Sequence, residues 1–170
     1  MWTNMLPLHI DFSAKEVLIV GGGKIALRRL KTFLHAGANI TVVSPEACEE
    51  IARLAEQNEI CWKQEKVSVE HLHSPFLIVA ATHDHDVNEW IGKNTRPNQL
   101  VNIASKMEKG NVLIPKIVKK GKLTLSISTN GASPTLAKEL GEKLSSQFDD
   151  DFIKELDMLY EERQRRIRRR

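Results

Sequence analysis

A short strand that leads directly into a glycine loop and a helix is the feature that most constrains this chain. Residues 17–30 read VLIVGGGKIALRRL, and they match the pattern G-x-G-x-x-G/A with Gly21, Gly23 and Ala26. In this pattern one glycine permits a tight turn and a second lets the backbone approach a diphosphate. A small third residue lets the helix pack against the strand. A glycine turn without a ligand is the alternative interpretation.

The same segment predicts which residues contact a dinucleotide. Backbone N–H groups at the start of a helix are unpaired and lie at the positive end of the helix dipole, so they attract phosphate oxygens. We therefore expect the diphosphate on Gly21, Gly22, Gly23, Lys24 and Ile25.

The residues after the second predicted strand indicate the kind of dinucleotide. An acidic residue about 20 positions after the glycines commonly holds the ribose hydroxyls. Ser44 and Pro45 stand there instead, Glu46 is the nearest carboxylate, and residues 39–52 contain no Lys or Arg for a 2′-phosphate. This favours NAD over NADP, with Ser44, Pro45 and Glu46 near the adenosine ribose. Equally, Glu46 could be a first-turn carboxylate that complements a helix dipole.

Short apolar runs alternate with helical patterns through the first hundred residues. Predicted strands cover residues 16–20, 39–43, 60–64, 76–81 and 100–104, and predicted helices cover 24–36, 46–57 and 86–95. Strand–helix alternation implies right-handed crossovers and a doubly wound parallel sheet. We therefore predict an α/β fold with a Rossmann-type, NAD-binding domain over residues 1–112.

The pattern changes after about Ser105. Residues 112–118 and 123–128 flank a predicted turn at 119–122, and Ser133 and Pro134 start a helix as N-cap and first residue. This predicts a small β-hairpin and helix domain over residues 113–148. A short basic helical tail over residues 149–170 follows and ends in arginines. We interpret those arginines as a solvated helix end, with phosphate binding as the alternative, and we predict no nucleic-acid partner.

Composition narrows the class of protein further. The chain has 170 residues, of which 41% are hydrophobic and 28% charged, as in ordinary globular proteins. Its longest purely apolar run, residues 76–81, is far shorter than the roughly 20 residues of a membrane span. Cys48 and Cys61 are too few for a disulfide framework or a zinc site. We expect a cytoplasmic protein with no membrane partner.

Further polar residues follow the central strands. Ligands of open α/β sheets lie beyond the carboxyl ends of the strands, so we expect Thr82 and residues 102–105 to face nucleotide and substrate. His83 and His85 flank Asp84, but nothing else suggests a metal ligand set, and we predict no metal site.

Taken together, these residues resemble the precorrin-2 dehydrogenases of sirohaem synthesis, including the N-terminal part of the sirohaem synthases. The resemblance runs from about residue 6 to residue 144. It lies in residues 6–8, 17–30, 36–38, 41–46, 80–82, 101–102 and 126–134, with Asp84, Asn88 and Pro115. The block SISTNGASP at 126–134 is the most specific part. The resemblance implies NAD-dependent oxidation of precorrin-2 to sirohydrochlorin. It also implies a homodimer whose second domain supplies the dimer contact.

The resemblance further implies site residues. Asn102, Ser105 and Ser128 occupy positions associated with the chemistry, and Asn130 is a polar group of the substrate pocket, whereas Ser133 is better explained as a helix cap. The family commonly has an aspartate where this chain has Ser105. We therefore expect a dehydrogenase alone, with a separate ferrochelatase acting next. The alternatives are a bifunctional dehydrogenase and ferrochelatase, and a non-catalytic module that senses NAD(H).

The implied substrate is a polycarboxylate, so its site should be cationic. Six lysines lie among residues 105–122, against the single acidic residue Glu108. They are Lys106, Lys109, Lys116, Lys119, Lys120 and Lys122. We predict an electrostatic funnel in which Lys116, Lys119 and Lys120 bind substrate. An ordinary solvated hairpin surface is the alternative.

Overall fold

The computed structural model describes residues 4–105 and 107–168. Lys106 of the predicted funnel and Arg169 and Arg170 of the predicted tail lie outside the described residues. The chain divides into two compact units, and the boundary falls between Leu113 and Ile114.

The first unit is built on a five-stranded parallel sheet with strand order β3-β2-β1-β4-β5. The strands are β1 (Glu16–Val20), β2 (Asn39–Val43), β3 (Cys61–Lys63), β4 (Leu77–Ala80) and β5 (Leu100–Ile103). The helices are α1 (Lys24–Leu34), α2 (Glu49–Glu56) and α3 (His85–Asn94). Short 3-10 turns cover Val69–Leu72 and Met107–Lys109. The predicted doubly wound parallel sheet is confirmed.

The central strands are buried on both faces, as their continuous apolar sequences predict. Ile19 of β1 and Val79 of β4 are paired in register, and both are fully buried. Helix α1 covers one face through Ala26 and Leu30, which are also fully buried. On the other face a core cluster contains Leu72 from the 3-10 turn and Ile91 from α3.

The sequence placed the start of the second helix too early. It predicted helix from residue 46, but α2 begins at Glu49 with Cys48 as its N-cap. Residues 44–48 form a loop instead, because the Ser44 hydroxyl donates to the Glu46 carbonyl at 2.7 Å and the Cys48 N–H donates to the Gly22 carbonyl at 2.9 Å.

The second unit contains a hairpin of β6 (Lys116–Lys120) and β7 (Leu123–Ile127), followed by α4 (Pro134–Ser145) and α5 (Asp150–Arg168). The predicted turn at 119–122 is wrong by two residues, because Lys119 pairs with Thr124 and Lys120 with Leu123. The turn consists of Gly121 and Lys122, and the φ of +52° at Gly121 favours glycine. Among the described residues, no helix has the length and apolar character that crossing a membrane requires.

Candidate active site

The three consecutive glycines have different surroundings. Gly21 has a φ of +120°, and a Cβ there would lie 2.6 Å from the Ala81 carbonyl oxygen. A Cβ on Gly22 would collide with the Glu46 carbonyl oxygen and lie 2.6 Å from the Ala47 Cα. By contrast, a Cβ on Gly23 would have no described atom within 4 Å. The first two glycines therefore permit close packing, whereas Gly23 borders open space.

That open space adjoins the N-terminus of α1. Gly23 is the N-cap, and among the described residues no side chain caps this helix and no acidic residue lies in its first turn. The N–H groups of the first turn have no acceptor within the helix, and Lys24 and Ile25 are exposed. The site fits a dinucleotide diphosphate, because it offers unpaired donors at the positive end of a helix and room for close approach.

The loop after β2 lies beside the glycine loop. The Gly21 N–H donates to the Val43 carbonyl at 3.0 Å. The Trp62 indole N–H donates to the Ser44 carbonyl at 3.1 Å, which links this loop to β3. Pro45 and Glu46 are exposed, and Glu46 precedes α2 by three residues. The alternative role of Glu46 as a first-turn carboxylate is therefore wrong, whereas its role at the ribose stays a prediction.

A buried amide connects the carboxyl ends of β4 and β5. Asn88 of α3 is 1% exposed, and its Oδ1 accepts from the Thr82 N–H at 3.2 Å and lies 2.9 Å from the Thr82 hydroxyl. Its Nδ2 donates to the Thr82 carbonyl at 3.0 Å and to the Ser105 hydroxyl at 3.4 Å. The structure thus brings together Thr82 and Ser105, both of which the sequence predicts at the site.

Sequence reasoning assigned no role to Asn88. The available signal was a polar residue three positions before Ile91, on the buried face of α3. A buried amide must find partners, so such a residue commonly connects segments that are distant in sequence.

Asn102 lies one residue before the end of β5 and is 3% exposed. Its Nδ2 donates to the Val112 carbonyl at 2.9 Å, which orients the amide. Its buried Oδ1 has no hydrogen-bond partner among the described residues. The strand end therefore carries an unused acceptor, which fits the predicted placement of Asn102 in the site.

Asp84 between the two histidines has a structural role. Its carboxylate caps α3, because it accepts from the Asp86 and Val87 N–H groups at 2.9 and 3.1 Å. Within the described parts of the chain, no cluster of three or more His, Cys, Asp or Glu side chains is arranged to hold a metal ion.

The predicted substrate ligands of the second unit do not all share one face. Lys116 and Lys120 lie on the hairpin face that packs on α4, whereas Lys119 lies on the opposite face because strand side chains alternate. The Lys120 Nζ donates to the Phe148 carbonyl at 2.7 Å. Lys119 is exposed on the opposite face and Lys116 is exposed as well, whereas Lys120 is half-buried. The substrate role of all three stays a prediction.

Other lysines of the predicted funnel are engaged in ion pairs. Lys109 lies 3.9 Å from Glu89, and Lys122 lies 2.7 Å from Asp157. The hydrogen bond that the Lys122 Nζ donates to the Asp157 carboxylate raises the pKa of Lys122. These contacts reduce the number of cations that a substrate would find unpaired.

Ser128 and Asn130 lie together in the loop before α4. The Asn130 N–H donates to the Ser128 hydroxyl at 3.1 Å, and Asn130 has a φ of +49°. Ser133 caps α4, since its hydroxyl accepts from the Leu136 N–H at 3.1 Å. Ser128 and Asn130 remain exposed and adjacent, as a pocket role requires.

Fold and glycine loop together define a dinucleotide-binding protein of the Rossmann class. Accordingly, a family model described as "Putative NAD(P)-binding" matches residues 8–116, and one described as "Sirohaem biosynthesis protein central" matches residues 120–147. The chain belongs to the precorrin-2 dehydrogenase family.

Relatives and a solved structure carry this assignment. A precorrin-2 dehydrogenase of Bacillus subtilis (strain 168) is 48% identical over 162 residues, which are 95% of this chain and 100% of the relative. One from Priestia megaterium is 43% identical over 92% of this chain and 78% of its own length. The solved structure of SirC, precorrin-2 dehydrogenase, superposes with a TM-score of 0.81 at 43% identity, over 92% of this chain and 78% of that one.

Proposed function

We propose that this chain is an NAD-dependent precorrin-2 dehydrogenase, which forms sirohydrochlorin for sirohaem synthesis. The observation that carries the proposal is the open space at Gly23 beside the uncapped N-terminus of α1. It occurs in a chain of which 95% is 48% identical to the whole length of a precorrin-2 dehydrogenase of Bacillus subtilis (strain 168). The reaction removes one hydride and one proton from the substrate.

The cofactor would be held along the carboxyl ends of the strands. Residues 21–25 would bind the diphosphate, and Ser44, Pro45 and Glu46 would lie at the adenosine ribose. Oxidised NAD, when bound, supplies the hydride acceptor. Thr82, Asn102 and Ser105 would position the reacting groups, since Asn88 holds Thr82 and Ser105 in place and Asn102 presents a free acceptor. None of these hydroxyls and amides is a strong base, so the released proton would pass to water.

For the substrate we propose cationic and polar contacts from the second unit. Lys116, Lys119 and Lys120 would attract the carboxylates of precorrin-2, and Ser128 with Asn130 would supply hydrogen bonds. Exposure of Lys119, Ser128 and Asn130 supports this assignment.

We also propose that the protein is a homodimer formed through its second unit. Large apolar side chains of α4 and α5 are exposed there, among them Leu136, Leu140, Met158 and Leu159. Exposed apolar patches commonly mark protein interfaces. In sedimentation velocity the wild type should be a dimer, and Leu136→Glu should shift it towards monomer, whereas the exposed control Lys138→Glu should not, because residue 138 lies on the opposite side of α4. A wild-type monomer at micromolar concentration contradicts the proposal.

Anaerobic incubation with precorrin-2 tests the activity itself. When NAD⁺ is the added cofactor, the absorbance of NADH and the spectrum of the tetrapyrrole should change at the same rate. With NADP⁺ the reaction should be much slower. Binding of NAD⁺ without turnover would favour a sensing module instead. Insertion of Fe²⁺ into sirohydrochlorin well above the spontaneous rate would show a second, chelatase activity. The two free cysteines, Cys48 and Cys61, support the cytoplasm as the compartment.

A further inference from the structure

Helix α1 carries a partly buried arginine whose side chain has no partner among the described residues. The Nε of Arg29 is buried and makes no hydrogen bond with any described residue. Among the described residues, Arg29 also forms no salt bridge. Its neighbour in sequence, Arg28, forms none with a described residue either, but Arg28 is exposed to solvent. Buried charges in proteins are nearly always paired, because an uncompensated one costs free energy.

Electrostatics at this position are unfavourable in the protein alone. Burial lowers the pKa of Arg29, and the positive charge of Arg28 lowers it further. Because an arginine stays protonated at any physiological pH, the strain is not relieved by deprotonation. An anion supplied from outside the protein would relieve it.

The position of Arg29 on α1 indicates where that anion would lie. Ala26 and Leu30 face the sheet, and the flank that carries Lys31 meets Glu50 of α2 at 2.6 Å. Arg29 lies on the opposite flank, four residues after Ile25. Helical side chains extend back towards the N-terminus, so Arg29 covers the turn around Ile25, next to the Gly23 loop.

We propose that Arg29 binds an oxyanion of a ligand held at the start of α1. The inference relies on the proposed function for the two possible sources of that oxyanion, the cofactor diphosphate and a substrate carboxylate. A guanidinium suits either one, because its planar fork of N–H donors matches phosphate and carboxylate oxygens.

A ligand-binding arginine of this kind predicts opposite effects on stability and on binding. Arg29→Met should raise the melting temperature of the ligand-free protein by about 2 °C or more, because it replaces a partly buried guanidinium, whose buried Nε is unpaired, with an apolar chain. The same change should weaken ligand binding at least tenfold. The exposed neighbour provides the matched control. Arg28→Met should change the affinity for the ligand less than twofold and the melting temperature by less than about 1 °C.

Two measurements distinguish the sources of the oxyanion. A tenfold weaker calorimetric Kd for NAD⁺ assigns Arg29 to the diphosphate. A tenfold higher KM for precorrin-2 with an unchanged Kd for NAD⁺ assigns it to a substrate carboxylate. Arg29→Lys, which keeps the charge, should recover part of the lost affinity and serves if the methionine variant does not fold.

Unchanged Kd and KM in both Arg29 variants, with the wild type active, would overturn this inference while leaving the proposed function intact. A fall in melting temperature for Arg29→Met with unchanged binding would also overturn it, because it would show a structural role. A wild type that binds no NAD⁺ would instead refute the proposed function.

Discussion

Adding one methyl group at Gly22 or at Gly23 distinguishes an effect on folding from an effect on cofactor binding. At Gly22 the added Cβ meets backbone atoms of Glu46 and Ala47, so the loop itself must move. Over-packing of this kind costs about 1–3 kcal/mol, and each kcal/mol lowers the melting temperature by about 2–4 °C in a chain of this size. We therefore expect Gly22→Ala to melt about 2–12 °C below the wild type.

At Gly23 the same methyl group enters open space, and the φ of −89° is accessible to alanine. Alanine is a slightly poorer N-cap than glycine, but it also reduces the entropy of the unfolded chain, and the two effects roughly offset each other to within about 1 kcal/mol. Stability should therefore change little. The methyl group would stand where the diphosphate approaches the backbone.

Loss of one charge-assisted hydrogen bond costs about 1.5–3 kcal/mol, which corresponds to a roughly 10- to 150-fold higher Kd for NAD⁺ in Gly23→Ala. Isothermal calorimetry gives the Kd, and thermal unfolding monitored by circular dichroism gives the stability. A Gly23→Ala protein that binds NAD⁺ within threefold of the wild type would refute the placement of the diphosphate at this loop.

Four other substitutions probe the remaining parts of the site and its supports. Asn88→Ala should destabilise the protein by about 1–3 kcal/mol in urea unfolding, because the Thr82 backbone loses its buried partner, and it should lower kcat more than it raises the Kd for NAD⁺. Ser133→Ala should cost about 1 kcal/mol in the same assay through loss of the α4 cap. Lys119→Glu should raise the KM for precorrin-2 at low salt, and the increase should shrink at high salt. Lys120→Met should also raise this KM, and in addition it should lower stability because the Phe148 carbonyl loses its donor.

For three of these substitutions a particular result would contradict the expectation. For Asn88, an unchanged kcat in a folded alanine variant would contradict the expectation. The kcat and the stability of Asn88→Asp, which keeps one acceptor, should lie between those of the alanine variant and the wild type. An unchanged urea midpoint for Ser133→Ala would show that the α4 cap does not contribute to the stability of the protein. A KM for Lys119→Glu that does not depend on salt would remove this lysine from substrate attraction.

Local sequence patterns were sufficient for the strands and the glycine loop on which we propose that the cofactor binds. The bounds of β1 and β2 agree with the prediction residue for residue, because continuous β-branched runs bounded by glycine or a polar loop leave few other structures. The glycine motif and the Ser133-Pro134 start of α4 depend on the φ, ψ and hydrogen-bonding preferences of single residues. Such preferences can be inferred from the local sequence alone, without knowing which distant segments pack nearby.

Tertiary structure decided everything that depends on segments far apart in the chain. Asn88 donates to Ser105, 17 positions further along the chain, and so joins it to Thr82, and no local pattern specifies that contact. Residues 44–48 form a loop rather than helix because Gly22 and Trp62 offer hydrogen-bond partners from other segments. Likewise, the sequence shows an arginine at position 29 but not that its Nε is buried and has no hydrogen-bond partner among the described residues. Tertiary packing determines which groups are buried and which partners they have, since both depend on which distant atoms folding brings within about 4 Å.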